Sequence, residues 1–157
     1  MRFNDKERFE LRDEEGQVWI RAVQGHSLDA VQDECLLQPL ASNDPDLPQV
    51  CVHGTYRGCL DSILDQDLIS GGRCSRRKHI HFVPFEPGDG RIVSGMRRHC
   101  QIAVYIDLPA ALREGVPFFR SLNGLIVSRG VRGVLPAKFI LKVKDLETGR
   151  SSHYICA

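Results

Sequence analysis

The sequence predicts an α+β domain built on a mostly antiparallel, split β-sheet with few short helices. Three observations predict it: short β-type runs recur at close intervals, glycines and prolines separate them, and only two stretches have helical character. At 157 residues, 42% hydrophobic and 26% charged, the chain has one domain's worth of length and an ordinary globular composition.

The elements follow in order. "RFEL" and "QVWIRAV" flank Asp13-Glu14-Glu15-Gly16 and read as a hairpin, with Gly16 supplying the tight turn. Such a hairpin needs other elements to bury its apolar face. Residues 40–49, "LASNDPDLPQ", carry two prolines and three Asn/Asp residues, which exclude helix and strand and mark a joint. "QVCVHG" reads as a strand stopped by Gly54. "CLDSILDQDLI" has apolar residues at 60, 63, 64 and 68, one helix face, with "ISGG" as its end. "HIHFV" is a short strand closed by Pro84, and "FEPGDGR" a loop. "QIAVYIDL" is the clearest strand of the chain, followed by a short helix at "PAALREG" with Pro109 near its start. "FFRS", "GLIVS" and "FILKV" are further short β runs.

Composition narrows the function classes. No apolar run approaches the roughly 20 residues of a membrane span, and "MRFNDKERFE" resembles neither a signal nor a transit peptide. The expected location is intracellular, cytoplasmic or nuclear. Six cysteines, at 35, 51, 59, 74, 100 and 156, form no CxxC, so reduced thiols are expected rather than a disulfide framework. The net charge of +1 conceals an asymmetry: residues 1–49 hold 5 basic and 11 acidic side chains, 50–100 hold 8 and 5, and 101–157 hold 8 and 4. The basic clusters "GGRCSRRKH" and "GMRRHC" therefore suit a phosphate-bearing partner, although a solvated basic face has the same pattern.

Several chemistries can be weighed against these residues. His79 and His81 project to one face of a strand, so with Cys74, His99 or Cys100 they could reach one metal ion; no other ligand spacing supports that, and hydrogen-bonded strand histidines explain the pair as well. Histidines 53, 79, 81 and 99 could serve a nucleophile, yet no G-x-S-x-G elbow precedes a helix. Neither a P-loop nor a GxGxxG after a strand is present.

Five motifs nevertheless occur in a specific order: "IRAVQGHS" at 20–27, "VHGTYRG" at 52–58, "HIHF" at 79–82, "SGMRRHCQIAVYID" at 94–107 and "FFRSLNGLIVS" at 118–128. Over residues 8–137 this order resembles the tRNA 2′-phosphotransferase (KptA) family, a branch of the ADP-ribosyltransferases. The resemblance implies an ADP-ribosyltransferase-like fold and NAD as co-substrate, with no metal. It implies a reaction in which an RNA 2′-phosphate attacks the nicotinamide ribose of NAD and expels nicotinamide. The ribose 2″-hydroxyl then displaces the RNA oxygen, leaving ADP-ribose 1″,2″-cyclic phosphate.

The resemblance also assigns residues. Arg21 and Arg97 match the family's catalytic arginines and would grip the 2′-phosphate, a task that suits the planar, bidentate guanidinium. Arg76 and Arg77 are candidates for a phosphate-facing rim. His53, Gly54 and Thr55 would seat the NAD riboses and nicotinamide amide, Gly54 because a Cβ would obstruct a ligand's close approach. His81 would wall the nicotinamide pocket, and Ser94, Gly95, Ser121 and Asn123 would line it. Ser94, Gly95, Ser121 and Asn123 equally suit turns, and Gln24, Gly25 and His26 a strand exit. Leu125 stands where many protein-modifying relatives carry a glutamate, which argues against glutamate-assisted protein modification.

The departures shape the expected organisation. Residues 1–26 resemble the last hairpin of the family's N-terminal winged-helix-like lobe, whose Arg-His pair has no counterpart here. Residues 27–49 are read as linker and 50–157 as the NAD-binding domain, ending in a tail expected to be disordered. The expected partner is RNA bearing a 2′-phosphate or another phosphorylated nucleic acid, with no membrane and no obligate protein partner. A single-lobe ADP-ribosyltransferase acting on nucleic-acid terminal phosphates or protein, and a non-catalytic RNA- or ADP-ribose-binding module, are the alternatives.

Overall fold

The structure, a computed structural model, describes residues 9–23, 37–71, 78–97 and 99–154. Among them, β1 (Phe9–Glu14) and β2 (Gln17–Ala22) pair antiparallel with Phe9 opposite Ala22 and Glu14 opposite Gln17. Glu15 and Gly16 both take positive φ, 53° and 79°, the two-residue turn whose twist matches the strands. Alternation puts Phe9, Leu11, Val18 and Ile20 on one face, and these apolar side chains are 46% to 66% exposed. The other face carries Glu10 opposite Arg21 and Arg12 opposite Trp19, with ion pairs from Glu10 to both arginines.

The remaining strands are β3 (Gln38–Pro39), β4 (Val52–Thr55), β5 (Leu68–Ile69), β6 (Ile80–Phe82), β7 (Ile102–Ile106), β8 (Phe118–Arg120), β9 (Ile126–Ser128), β10 (Val134–Leu135), β11 (Ile140–Asp145) and β12 (Ser151–His153). They form two four-stranded antiparallel sheets, ordered β12-β11-β7-β4 and β3-β8-β9-β6, and a small β10-β5 pair. Among the described residues the backbones of the two sheets join at one bridge, where Val52 and Val83 exchange N–H···O bonds of 3.0 and 2.9 Å. Beyond it β4 and β6 belong to different sheets, which is the split the sequence predicts.

β7 explains why the core is where it is. Its apolar run is buried on both sides, the pattern of a central strand. Ile102, Val104 and Ile106 join a cluster with Phe82, Phe118 and Ile126, while Ala103 and Tyr105 join Val52, Val83, Leu125 and Val127. Phe82 and Phe118 are fully buried and tilted against each other, each contributing roughly 1.5–3 kcal/mol by burial.

The helices cover the first cluster through Ile63, Leu108 and Ala111. In α2 (Leu108–Arg113) the Asp107 carboxylate accepts the Ala110 N–H at 2.9 Å and Pro109 sits in the first turn, so start and stop agree with the sequence. α1 (Leu60–Gln66) is shorter than its apolar spacing suggests. It stops at Asp67, which takes φ 67°, because Leu68 and Ile69 leave to pair with Leu135 and Val134. Gly54 likewise does not stop its strand; it lies within β4, opposite Ala103.

The described part of the 27–49 segment contributes to the body: Leu37 and Leu40 are buried and β3 pairs with β8. Residues 40–49 hold only turns and bends, as their prolines require. At the other end, β11 completes the first sheet and β12 folds back on it as far as His153. No described helix is long and apolar enough to cross a membrane.

Candidate active site

The site is built where the sheet splits. Past the Val52–Val83 bridge the next residue of β4 is His53, and its Nδ1 lies 2.9 Å from the carbonyl oxygen of His81 on β6. A carbonyl only accepts, so Nδ1 carries the proton and Nε2 of the neutral ring is left as an acceptor. The imidazole stands edge-on to Phe82, with ring centroids 5.9 Å apart. Burial pushes the His53 imidazole below its ordinary value, the hydrogen bond to the His81 carbonyl opposes this, and the positive charge of Arg97 pushes it down further. His53 is therefore neutral at pH 7 and lies within the field of Arg97.

Arg97 is delivered by a tight loop that only its glycine permits. Gly95 has φ +87°, and a Cβ there would stand 2.0 Å from Leu125 Cδ1 and 3.2 Å from Val83 Cγ1. The loop thus seats directly on the wall formed by β6 and the β8–β9 turn. Arg97 itself is exposed, and its Cζ lies 5.2 Å from the centre of the Tyr56 ring. Among the described residues that ring is the guanidinium's one directed contact, and no carboxylate pairs with it. Arg57, Arg91 and Arg21, by contrast, are held by Asp145 and Glu147, by Asp89 and by Glu10.

Ser94 and Leu125 border a small open cleft between residues 83–85, 91–94 and 123–125. Ser121 is buried beneath it, with Oγ 2.7 Å from Asn123 Oδ1 and 3.0 Å from the Leu125 carbonyl oxygen, so it fixes the turn that presents Asn123 and Leu125. Leu125, 3% exposed and just ahead of β9, is a packed apolar wall. Thr55 is buried at the end of β4, and its carbonyl accepts the Gln101 N–H at 3.0 Å.

The structure thus brings His53, Gly54, Thr55, His81, Ser94, Gly95, Arg97, Ser121, Asn123 and Leu125 around one seam. Two details add to the sequence-based reasons. A Cβ on Gly54 would meet Met96 Cγ at 2.8 Å and Cys100 Sγ at 3.1 Å, so on that side glycine makes room for the 94–100 loop. His81 engages His53 through its backbone carbonyl, while Ile80 and Phe82 beside it point into the core.

Among the described residues no contact brings Arg21 to the seam. It lies on β2 with its guanidinium against Glu10 and is 42% exposed. Gln24, Gly25, His26, Cys74, Arg76, Arg77 and Arg98 lie outside the described residues. Among those described, no three His, Cys, Asp or Glu side chains converge as metal ligands.

Sequence reasoning missed Tyr56 and the polar frame behind it. Arg57 spans Asp145 and Glu147 at 2.7 and 2.8 Å, and Gln101 bonds both the Arg57 N–H and Glu147. The backbone N–H of Thr148 and then Arg57 hold the Asp145 carboxyl down at about 2. Tyr56 follows the "HGT" motif directly, but an aromatic there has no signature of its own.

A family model described as RNA 2′-phosphotransferase, Tpt1/KptA family, matches residues 1–130. The tRNA 2′-phosphotransferase 1 of Homo sapiens is 45% identical over 150 residues, covering 94% of this chain and 56% of that protein. Its Bos taurus counterpart is 44% identical with the same coverage. The Saccharomyces cerevisiae tRNA 2′-phosphotransferase is 33% identical over 153 residues, covering 92% of this chain and 63% of that protein. The chain thus spans little more than half the length of these curated relatives.

Proposed function

The chain belongs to the RNA 2′-phosphotransferase, Tpt1/KptA family, and on that premise we propose that it is an NAD-dependent RNA 2′-phosphotransferase. It would transfer a 2′-phosphate from RNA to NAD, releasing nicotinamide and ADP-ribose 1″,2″-cyclic phosphate. The observation that carries this reading is Arg97, a guanidinium without a carboxylate partner among the described residues, whose charge reaches neutral His53 at the split of the sheet.

The residues fit the demands of that chemistry. The attacking phosphate is an anion and the ribose becomes cationic, so the protein must hold both in register and supply fixed positive charge to the phosphate. Arg97 has its N–H donors available for two phosphate oxygens. His53 Nε2 can accept a ribose hydroxyl, which a protonated imidazole could not do. Ser94, Asn123 and Leu125 border the cleft that would take the nicotinamide end of NAD. Arg21 joins this set only when Glu10 releases it. Charge neutralisation falls to arginine in this reading, and a metal has no role. RNA and NAD as substrates assign the protein an intracellular place of action, cytoplasmic or nuclear.

Arg21's engagement by Glu10 favours one second reading: single-step ADP-ribosyl transfer to a nucleic-acid terminal phosphate, which asks less of a second arginine. Nicotinamide release from NAD tests the main reading. Release should require a 2′-phosphorylated RNA and should vanish in Arg97→Ala. Release at the same rate without RNA, or none with it, would rule the reading out.

A further inference from the structure

The residue after the "HGT" motif has no assigned role, yet it is an exposed aromatic held in a firm polar frame. Tyr56 leaves β4 in an extended conformation, φ −100° and ψ 152°. Its carbonyl accepts the Cys59 N–H at 3.0 Å, and the chain is pinned on both sides of it. Before it, the Thr55 carbonyl accepts the Gln101 N–H. After it, the Arg57 N–H reaches Gln101 Oε1 at 3.3 Å, and the Arg57 guanidinium clamps Asp145 and Glu147 across the β11–β12 turn. Gln101 Nε2 closes the frame on Glu147 Oε1 at 3.1 Å.

This frame presents a ring, 36% exposed, to Arg97, whose Cζ lies 5.2 Å from the centroid. A carboxylate in that place would occupy the guanidinium's donors and cancel its charge. An aromatic face attracts the cation through its quadrupole and does neither. Left unsupported, an exposed arginine on a loop would distribute itself over many rotamers, and ordering it on the ligand would cost affinity. We infer that Tyr56 is a positioning residue: its ring holds Arg97 in one orientation beside His53 while leaving the charge and donors of Arg97 for the substrate phosphate. The inference rests on the phosphate-binding role proposed for Arg97 and adds the residue that makes that role efficient.

The test uses the full chain and one oligoribonucleotide in two forms, with an internal 2′-phosphate and with a 2′-hydroxyl. The ratio of their dissociation constants, read by fluorescence anisotropy, isolates phosphate recognition from general RNA binding. A ring–cation contact of this kind corresponds to about two- to thirtyfold, so Tyr56→Leu should reduce the ratio by a factor in that range. Tyr56→Phe, which keeps the ring, should restore it. In an Arg97→Ala background Tyr56→Leu should have no further effect, because Tyr56 acts through Arg97. A Leu variant that keeps the wild-type ratio while Arg97→Ala abolishes it overturns the inference and leaves the role of Arg97 intact. So does an equal loss in both backgrounds, which would mark Tyr56 as merely structural. A wild-type ratio of one, in contrast, overturns the phosphate-binding role itself and the inference with it. Should Tyr56→Leu not fold, the series Phe, Tyr, Trp replaces it: discrimination should be strongest with Trp, and a flat series counts against the inference.

Discussion

Arg97 and Arg21 are matched to the same task by sequence motif, and the structure treats them in opposite ways. Arg97 comes off a loop wedged between two sheets and rests on an aromatic ring, with no carboxylate among the described residues beside it. Arg21 projects from a two-stranded hairpin whose apolar face is exposed, and its charge is answered by Glu10 on the neighbouring strand. A motif identifies which residue type the chemistry needs. Whether that residue is ready depends on what its neighbours have already done with its charge.

The largest expected effect lies on the Arg97 side. Arg97→Ala should lower RNA 2′-phosphate removal by about a hundredfold or more, the usual cost of deleting one preorganised donor to a developing charge. Single-turnover kinetics with saturating NAD would show it, and a loss under tenfold would erase the difference between the two arginines. Next is Gly95→Ala, which must fit a Cβ 2.0 Å from Leu125 Cδ1 at a backbone angle that L-residues avoid. It should cost about 2–4 kcal/mol in denaturant unfolding, combining strain and overpacking. Unchanged stability would mean that the loop seats differently.

Arg21→Ala should cost less, about tenfold, as one charged hydrogen bond made only after Glu10 lets go. Glu10→Gln should then leave activity equal or slightly higher. A loss for Arg21→Ala as deep as that for Arg97→Ala would show that the hairpin is a full member of the site.

The smallest effect is that of pH on His53. Its folded-state value is lowered by burial, so the ring stays neutral until pH falls below the ordinary 6.5. Activity that needs neutral His53 should hold through pH 6.5 and decline only below it. Stability has the same sign: the unfolded chain binds the proton first, so the His53 contribution is complete above 6.5 and lost as pH falls through the lowered value. An acid limb centred above 6.5 would exclude His53 as the titrating group.

Legibility in the sequence followed the range over which each signal acts. β7, α2 and the N-terminal hairpin were readable because a continuous apolar β-type run, a proline near a helix start and a glycine turn are local. β3, β5 and β10 were not, since a two-residue strand has no period to detect. The end of α1 was misread for the same reason: what stops it is pairing with residues 134–135, far along the chain. The crowding around Gly54 and Gly95 had no local signature, because the side chains that press on them, Met96 and Cys100 for the first and Leu125 for the second, come from distant parts of the chain. The Arg57–Asp145 clamp joins residues 88 apart and has no sequence signature at all, which is why Tyr56 emerged only from the structure.

One measurement bears most directly on the proposal that this chain removes 2′-phosphates from RNA at the expense of NAD. The protein is incubated with NAD and either of two oligonucleotides, one with an internal 2′-phosphate and one with only a 5′-phosphate, and the products are weighed by mass spectrometry. The account predicts that the first loses its phosphate, with ADP-ribose cyclic phosphate appearing, and that the second keeps its mass. A 2′-phosphorylated strand that stays unchanged, whether or not the 5′-phosphorylated one gains ADP-ribose, would contradict it.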